Sequence, residues 1–373
     1  MRDITLILLG AGNSSRFEFP FKKQWLWSGD RPLWLSVADG FEQIYNFAKV
    51  VIVSSKEDIL AMSNFAKYEF VTGGNSRQQS LKNGLEYVDT PFVLVSDIAR
   101  CCLDEEMIKR VISLKRKGAC VVPTLKPTDT LYLNSTPLDR NSVKIIQTPQ
   151  LSCTSTLKKA LNTTKEFTDD SSAISMIGGE VIFTNGSTKA HKLTTKDDLE
   201  KLDCLKKPSN RALVGFGVDI HPFEENKRMY LCGVEIDSKF GFKAHSDGDV
   251  AIHAIIDALL GASGLGDIGE LFPDTSSEYK NIRSTKLLEI VKKRLTSFGY
   301  VIGNIDITII AQTPKLMEYK RDMRFNLAKI LALKPNLVNI KATTAEKLGW
   351  IGRKEGVAVE AIATLYYFDW TEK

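Results

Sequence analysis

The sequence predicts an α/β chain of two domains, a doubly wound Rossmann-like domain followed by an α+β domain. The chain has 373 residues, which is enough for two separate cores. Its first half alternates apolar runs with helical patterns, the rhythm of a parallel sheet. A polar stretch with Pro208, Ser209 and Asn210 then resembles a linker. We therefore place the domains at 1–207 and 213–373, joined by 208–212.

The strands of the first domain are predicted from short apolar runs. Residues 4–9 read Ile-Thr-Leu-Ile-Leu-Leu, typical of a strand buried on both faces of a parallel sheet. Similar runs follow at 50–54, 92–96 and 119–122, with helical patterns between them. Ligands of such sheets gather at the carboxyl ends of the strands, so the loops after these runs are the places to look for chemistry.

Two of those loops carry side chains suited to binding a phosphate or a divalent cation. The loop 10–16 follows the first strand and matches neither the Walker A nor the G-x-G-x-x-G pattern. Its small residues still allow backbone N–H groups to approach a phosphate, with Arg16 and Lys23 nearby, although an ordinary turn with surface cations explains the loop equally well. Asp97 and Arg100 follow the run 92–96 and are suited to a divalent cation and a phosphate.

The second domain is predicted to combine strands with one long amphipathic helix. The helix spans 285–298 and is closed by Gly299. The predicted strands are 213–220, 229–234, 304–311, 338–344 and 357–367.

A histidine-rich region marks this second domain. Three of the four histidines, His221, His245 and His253, fall within 33 residues. Asp219 and His221 alternate on a strand and project to one side, and a helix that starts near residue 246 or 247 would carry His253. Each residue alone is explained as a satisfied polar side chain. Together, two imidazoles and a carboxylate are a common zinc set with one position left open.

Composition limits the partners and the location. The chain has 43% hydrophobic and 25% charged residues, as an ordinary globular protein does. Its formal charge is +5 and its basic residues are dispersed, so small anionic substrates fit better than nucleic acid. No run reaches membrane-spanning length, and the N-terminus is too short for a signal peptide before its first glycine turn. The six cysteines lack C-x-x-C spacing and are interpreted as reduced thiols, which favours the cytoplasm.

Residues 3–203 resemble the 2-C-methyl-D-erythritol 4-phosphate cytidylyltransferase family. The matching residues are Gly10-Ala11-Gly12 with Arg16, Lys23-Gln24, Gly73-Gly74 with Arg77 and Ser80, Asp97-x-x-Arg100, Asp129-Thr130, Arg140, Thr148-Pro149-Gln150, Thr168-Asp169-Asp170 and Lys192-Leu193-Thr194. The resemblance implies a nucleotidyltransferase domain that uses CTP and Mg²⁺ or Mn²⁺.

The same resemblance implies a role for each matched residue. Arg16, Lys23 and Lys192 would contact the CTP phosphates, and Asp97 would serve the metal and the ribose. The cytidine would be held by Gly10, Ala11, Gly12, Gly73, Arg77 and Ser80. Methylerythritol phosphate would be bound by Arg100, Thr130, Arg140 and Thr148, with either this chain or a partner subunit supplying the last three.

The second domain resembles the 2-C-methyl-D-erythritol 2,4-cyclodiphosphate synthase family over essentially its whole length. The matching motifs are Asp219-x-His221, Ala244-His245-Ser246-Asp247-Gly248-Asp249, Gly266-Asp267-Ile268-Gly269 to Phe272-Pro273-Asp274, and Ala342-Thr343-Thr344-x-Glu346-Lys347-Leu348-Gly349. The resemblance implies Zn²⁺ on Asp219, His221 and His253, a second divalent ion, Mg²⁺ or Mn²⁺, on Glu346, and a substrate-facing His245.

Further residues of this domain are implied to hold the substrate. Ala311, Lys315, Leu316, Ala342 and Thr343 would hold the cytidine, and Thr344 would contact the diphosphate. The remaining substrate contacts would come from Asp249, Asp267, Gly269, Asp274, Trp350 and Arg353, with Arg353 and Glu360 also matching residues near a threefold axis.

The two resemblances together imply a bifunctional enzyme of isoprenoid biosynthesis. The first domain would transfer CMP from CTP to methylerythritol phosphate, and the second would cyclise the diphosphocytidyl 2-phosphate and release CMP. The two reactions are not consecutive, so a separate kinase is an expected partner. A dimeric first domain and a trimeric second domain would make a hexamer the smallest closed assembly.

Two other interpretations fit the same residues. One is a sugar-nucleotide pyrophosphorylase fused to a metal phosphoesterase, which would turn over sugar phosphates with UTP or GTP. The other is a protein that senses CTP and metal without releasing pyrophosphate.

Overall fold

The computed structural model describes residues 2–244, 246–273 and 282–372, and it divides the chain into two compact units. The first unit is Met1–Pro208 and the second is Ser209–Lys373. Among the described residues, no helix has the length and apolar character that crossing a bilayer requires.

The first unit is built on an eight-stranded sheet with six helices. Its strands are β1 (Ile4–Leu9), β2 (Trp27–Ser28), β3 (Arg31–Pro32), β4 (Lys49–Ser54), β5 (Glu69–Thr72), β6 (Phe92–Asp97), β7 (Ala119–Leu125), β8 (Leu131–Leu133), β9 (Thr136–Leu138), β10 (Ile145–Ile146), β11 (Gln150–Cys153) and β12 (Glu180–Asn185). Its helices are α1 (Leu33–Ile44), α2 (Lys56–Met62), α3 (Arg77–Leu85), α4 (Glu105–Ser113), α5 (Thr154–Leu161) and α6 (Asp170–Met176).

The sheet order confirms the predicted doubly wound α/β class. Strands run β10-β7-β11-β6-β1-β4-β5, with β12 beside β7. The four strands from β6 to β5 are parallel, and all six residues of β1 are buried, because both faces of the sheet are covered. The sequence did not predict β11, which runs antiparallel between β6 and β7.

A disulfide corrects the expectation that all cysteines are reduced. Cys102 and Cys204 are paired, with Cα atoms 5.4 Å apart, whereas Cys101, Cys120, Cys153 and Cys232 are free. The pair ties the loop after β6 to the segment after a 3₁₀ turn (Lys196–Lys201). The sequence spacing of the cysteines did not predict this disulfide, because the two residues are 102 positions apart.

The second unit is a five-stranded sheet backed by helices. Its strands are β13 (Leu213–Glu225), β14 (Met229–Leu231), β15 (Val234–Ile236), β16 (Phe240–Phe242), β17 (Tyr300–Ile310), β18 (Val338–Thr343) and β19 (Gly356–Tyr367). Its helices are α7 (Val250–Ser263), α8 (Ile268–Leu271), α9 (Ser284–Ser297), α10 (Lys320–Leu331) and α11 (Gly349–Gly352). The main sheet has the order β16-β13-β19-β17-β18, and only β17 and β18 among its neighbours are parallel. The α+β class is therefore confirmed.

Two predicted elements of this unit differ in the structure. The run 229–234 is a hairpin, because Cys232 and Gly233 adopt φ of 54° and 76° and reverse the chain. Helix α7 begins at Val250 and not near residue 246, because the Asp249 side chain accepts a hydrogen bond from the Ile252 N–H and caps the helix.

Helix α7 lies unusually close to strand β13 because glycine faces it. A Cβ on Gly217 would collide with the carbonyl oxygen of Ala254 and lie 2.7 Å from the Ala258 nitrogen. Gly215 meets the next turn of the helix in the same way. The alternate residues of β13 project from the opposite face, where Val214, Phe216, Val218 and Ile220 are 44–63% exposed.

We expect Gly217→Ala to destabilise the second unit, because the added methyl group would force the helix away from the strand. The loss should be about 1–3 kcal/mol in the free energy of unfolding, the usual range for overpacking. Gly261→Ala is the matched control, since a Cβ there meets nothing within 4 Å and should stabilise α7 by about 0.5–1 kcal/mol. Urea denaturation followed by circular dichroism measures both, and equal stability of the Gly217 variant and wild type would contradict the packing argument.

Candidate active sites

The first site is a cleft of about 630 Å³ at the carboxyl ends of the parallel strands. It is lined by the loop after β1, by the N-terminal turn of α3, by the end of β6 and by Lys192. The lining residues are Leu9, Gly10, Ala11, Gly12, Asn13, Ser14, Ser15, Arg16, Lys23, Gln24, Gly74, Asn75, Ser76, Arg77, Ser80, Asp97, Ile98, Ala99 and Lys192. The predicted phosphate loop, cations and carboxylate therefore share one cavity.

Three cations gather in this cleft. Lys23 donates a hydrogen bond to the Leu193 carbonyl at 2.9 Å, and Arg16 is exposed. Burial lowers the pKa of Lys23, and the charges of Lys192 and Arg16 lower it further. Repulsion between the three positive charges would be relieved by a polyanion such as a triphosphate.

Asp97 is the buried carboxylate of the cleft. It accepts a hydrogen bond from the Lys192 ammonium at 2.6 Å, and the Arg77 Nε lies 3.6 Å away. Burial acts to raise the pKa of Asp97, but Lys192 and Arg77 outweigh it and keep the pKa below its usual value. The group is therefore an anion at neutral pH, as a ligand for a hard divalent cation must be.

The pKa of a second carboxylate, on the far side of Arg77, is shifted in the opposite direction. Asp170 receives a hydrogen bond from Arg77 Nη1 at 3.0 Å, yet burial raises its pKa. Arg77 thus bridges two buried acids.

All four residues predicted to hold the second substrate lie outside the lining of the cleft, and two of them are exposed. The Thr148 hydroxyl accepts a bond from the Asp97 N–H at 3.4 Å, and Arg100 donates to the Ala190 carbonyl at 2.6 Å. Gly73 precedes the lining residue Gly74, whose N–H donates to the Ser80 hydroxyl at 3.1 Å. Thr130 and Arg140, by contrast, are exposed, and Arg140 donates to the Thr128 carbonyl.

Two carboxylates that support the first cleft were not predicted from the sequence. Buried Asp58 accepts hydrogen bonds from Lys22, Gln24 and Trp25, and so holds the segment that carries Lys23. Asp198 accepts from His191 and from the backbone N–H groups of residues 194 and 195, beside Lys192. A capping pattern, Ser or Thr followed three residues later by Asp, precedes both positions and could have revealed them.

The second site is the predicted cluster of Asp219, His221 and His253. Asp219 Oδ2 lies 3.1 Å from His221 Nε2 and 3.1 Å from His253 Nδ1. One ligand atom of each residue lies within 4.8 Å of the other two. Burial acts to raise the pKa of Asp219, but hydrogen bonds and charge from the two histidines dominate and lower it.

The donor set fits a divalent metal. The His221 Nδ1 is 3.1 Å from the Gly248 carbonyl oxygen, which only accepts, so Nδ1 carries the hydrogen and Nε2 offers a lone pair towards Asp219. A neutral imidazole and an ionised carboxylate that face each other are suited to sharing a cation. The predicted ligands are thus consistent with divalent metal binding.

The predicted nucleotide residues form a separate group at the same edge of the sheet. The parallel pairing of β17 and β18 brings Ala311 beside Thr343, joined by a 3.0 Å bond from the Ala311 N–H to the Thr343 carbonyl. The Thr344 hydroxyl donates to Glu346 at 2.6 Å, and Glu346 has a φ of 50°. Ala342, Lys315 and Leu316 belong to the same two loops.

This group and the histidine cluster are distant within one chain. Strand β13 lies two positions from β17 and three positions from β18 in the sheet, about 10 Å and about 14 Å at the usual strand spacing. The two groups of predicted residues therefore lie on strands that are not neighbours in the sheet.

The remaining predicted site residues of the second unit differ in burial and in position. Asp249 is fully buried and accepts from the N–H groups of Cys232 and Gly233, so we assign it to support of the site, which corrects the expected substrate contact. Asp267 and Gly269 are exposed at α8, Trp350 is half-buried in α11, and exposed Arg353 pairs with Glu355. His245 and Asp274 lie outside the described residues.

Both units match known families. Residues 4–205 match the 2-C-methyl-D-erythritol 4-phosphate cytidylyltransferase family, and residues 212–366 match the YgbB family. A bifunctional enzyme IspD/IspF of Sulfurovum sp. (strain NBC37-1) is 61% identical over 373 residues, and the alignment covers 100% of each chain. The corresponding enzyme of Campylobacter curvus (strain 525.92) is 52% identical over 373 residues, again with 100% of each chain covered.

A solved structure agrees along the same length. The structure of the bifunctional IspDF from Campylobacter jejuni has a TM-score of 0.88 and 47% sequence identity, and the match covers 99% of this chain and 100% of that chain. Neither a sugar-nucleotide pyrophosphorylase nor a binding protein is needed to explain either unit. The chain therefore belongs to the family of bifunctional IspD/IspF enzymes of the methylerythritol phosphate pathway, with a cytidylyltransferase domain followed by a cyclodiphosphate synthase domain.

Proposed function

We propose that the cleft of the first unit transfers CMP from CTP to 2-C-methyl-D-erythritol 4-phosphate. The observation that carries this proposal is the convergence of Arg16, Lys23, Lys192 and Asp97 on a loop of small residues. A phosphate oxygen of methylerythritol phosphate attacks the α-phosphorus of CTP in line. The bond from that phosphorus to the β-phosphate oxygen breaks, and pyrophosphate leaves. No side chain needs to become covalently attached.

The side chains of the cleft act by position and charge. Lys23 and Arg16 face the triphosphate and offset the charge that builds up on it. Asp97 would hold Mg²⁺ or Mn²⁺, which when bound neutralises phosphate charge and polarises the α-phosphate. Lys192, which pairs with Asp97 at 2.6 Å, is then free to turn from Asp97 to the phosphates.

We propose that Arg140 and Thr130 bind methylerythritol phosphate in the cleft of a second copy. Both residues are exposed and neither lines the cleft of its own chain. They flank the hairpin of β8 and β9, where Tyr132 and Leu133 are 63% and 64% exposed. Apolar residues exposed on such a hairpin are suited to pairing with another subunit.

We propose that the second unit cyclises 4-diphosphocytidyl-2-C-methyl-D-erythritol 2-phosphate. The 2-phosphate oxygen attacks the β-phosphorus, the bond from this phosphorus to the α-phosphate oxygen breaks, and CMP leaves. Asp219, His221 and His253 would hold Zn²⁺, because two imidazoles and one carboxylate leave a fourth position for a phosphate oxygen. Glu346 would hold a second divalent ion, Thr344 would contact the diphosphate, and Ala311, Leu316 and Thr343 would hold the cytidine.

We propose that this second site is completed by another copy of the chain. One strand, β19, lies between β13 and the nucleotide loop after β17, and two strands lie between β13 and the loop after β18. The open face of β13, with Val214, Phe216, Val218 and Ile220, offers the apolar surface for a trimer. A dimer through the first unit and a trimer through the second would close as a hexamer.

The order of the two reactions implies a third enzyme. The product of the first unit must be phosphorylated before the second unit can use it, so a separate kinase is the expected partner. We place the protein in the cytoplasm, where CTP is available.

We expect Asp97→Ala to abolish pyrophosphate release from CTP, methylerythritol phosphate and Mg²⁺, because the variant loses the metal ligand. The rate should fall on the order of 10²-fold or more. Release of CMP from the substrate of the second unit should remain, and it serves as an internal control. Asp89→Ala is the matched control, since Asp89 is 79% exposed and lies outside the cleft. Normal pyrophosphate release by the Asp97 variant would refute the assignment.

We expect His253→Ala to lose bound zinc and cyclisation together, because one of three ligands is gone. Elemental analysis of protein purified in zinc-containing buffer measures the metal, and CMP release measures the reaction. Pyrophosphate release by the first unit should be unaffected. A variant that keeps its full zinc content would overturn the ligand assignment.

We expect two inactive variants to restore cyclisation when they are expressed together, because the site is shared. His253→Ala lacks the metal half and Thr344→Ala lacks the diphosphate contact, so a mixed oligomer contains some intact sites.

We expect Phe216→Asp, on the open face of β13, to give smaller particles than wild type in light scattering. Phe325→Asp, on α10 and 49% exposed, should give particles of the wild-type size. No recovery in the mixed oligomer, or a monomeric wild-type protein, would contradict a shared site.

A further inference from the structure

A line of four side chains in contact runs from the start of α9 to Asp219 in the histidine cluster. Ser284, the first residue of that helix, is completely buried. Its hydroxyl oxygen lies 2.5 Å from Asp247 Oδ1 and 2.9 Å from His253 Nε2. His253 Nδ1 in turn faces Asp219 at 3.1 Å. The sequence did not predict that Ser284 or Asp247 belongs to the metal site.

The direction of these hydrogen bonds follows from what each group can donate. An ionised carboxylate only accepts, so the single hydrogen of the Ser284 hydroxyl points to Asp247. The 2.5 Å separation is in the range of a charge-assisted O–H···O⁻ bond. The Ser284 oxygen can then only accept from the histidine. His253 Nε2 must therefore carry a hydrogen.

This arrangement decides which nitrogen of His253 can bind a metal. A neutral imidazole carries one hydrogen, so a hydrogen on Nε2 leaves a lone pair on Nδ1. Nδ1 is the nitrogen that faces Asp219 and the cluster. If Ser284 donated to Nε2 instead, the hydrogen of the neutral ring would sit on Nδ1 and would block the ligand position.

We propose that Ser284 and Asp247 are positioning residues that fix the tautomer and the ring orientation of His253 for zinc. The inference rests on the proposed function, in which His253 is a zinc ligand. His221 has a corresponding arrangement, since the Gly248 carbonyl holds the hydrogen on its Nδ1. Both imidazoles are therefore turned so that their free lone pairs face Asp219.

The role of Ser284 can be separated from helix capping. Asp247 also accepts a hydrogen bond from the Ser284 backbone N–H at 3.1 Å, so the carboxylate caps α9 without the hydroxyl. Ser284→Ala removes the connection to His253 and keeps this cap. Ser297→Ala is the matched control, because its hydroxyl bonds only within the last turn of the same helix, to the Arg294 carbonyl.

The test measures zinc affinity of the full chain by competition with a chelator. We expect Ser284→Ala to bind zinc about 10–100-fold more weakly, the usual effect of losing a partner behind a metal-bound histidine. Ser284→Thr, which keeps a hydroxyl, should recover affinity, and Ser297→Ala should match wild type. Pyrophosphate release by the first unit should be unchanged in all three variants. Equal zinc affinity in Ser284→Ala and wild type would overturn the proposal.

A direct measurement keeps the proposal testable if a variant fails to fold. With ¹⁵N-labelled histidine, the four histidines of the zinc-loaded wild-type protein can be followed by NMR. We expect one ring with hydrogen on Nε2 and metal on Nδ1, assigned as His253 by its loss in His253→Ala. A hydrogen on Nδ1 of that ring refutes the proposal, whereas a wild-type chain that binds no zinc refutes the proposed function itself.

Discussion

Close approach of neighbouring segments, possible only where glycine removes the side chain, sets the geometry of both sites. In the second unit, Gly217 lets α7 lie directly on β13, so that His253 on the helix reaches Asp219 on the strand. In the first unit, a Cβ on Gly73 would collide with Ala11 and would lie 3.0 Å from the Ser80 hydroxyl. The loops around the cleft meet for the same reason. Larger residues at these positions would separate the reactive groups.

Buried charge is the second common feature. Asp97 stays ionised because Lys192 and Arg77 compensate for its burial, while Asp170, on the other side of Arg77, has a raised pKa. Asp219 stays ionised because of two histidines. Both sites thus hold a carboxylate that faces nitrogen atoms of basic side chains. A metal ion can replace such partners, which explains why the same residue type serves two different reactions.

Each unit is also incomplete in a way that points to assembly. The first unit has Thr130 and Arg140 on an exposed hairpin region, away from their own cleft. The second has its metal cluster and its nucleotide loops on strands that do not touch. The apolar face of β13 and the exposed residues of the hairpin give each unit a surface for a neighbouring copy. Catalysis and oligomerisation are therefore linked in the proposed enzyme.

The sequence alone determined the two domain classes and the parallel strands and predicted the main ligands, because apolar periodicity and short motifs are local properties. The motif 244–249 named the right region of the second site, but only packing decided that Asp249 is a buried cap and that Asp247 faces Ser284. Ser284, Asp58 and the Cys102–Cys204 disulfide were likewise decided by tertiary structure. The contacts of Ser284 with Asp247, of Asp58 with Trp25 and of Cys102 with Cys204 join positions 33 to 102 residues apart, so local spacing does not reveal them. Only the capping pattern from Ser55 to Asp58 carried a local signal.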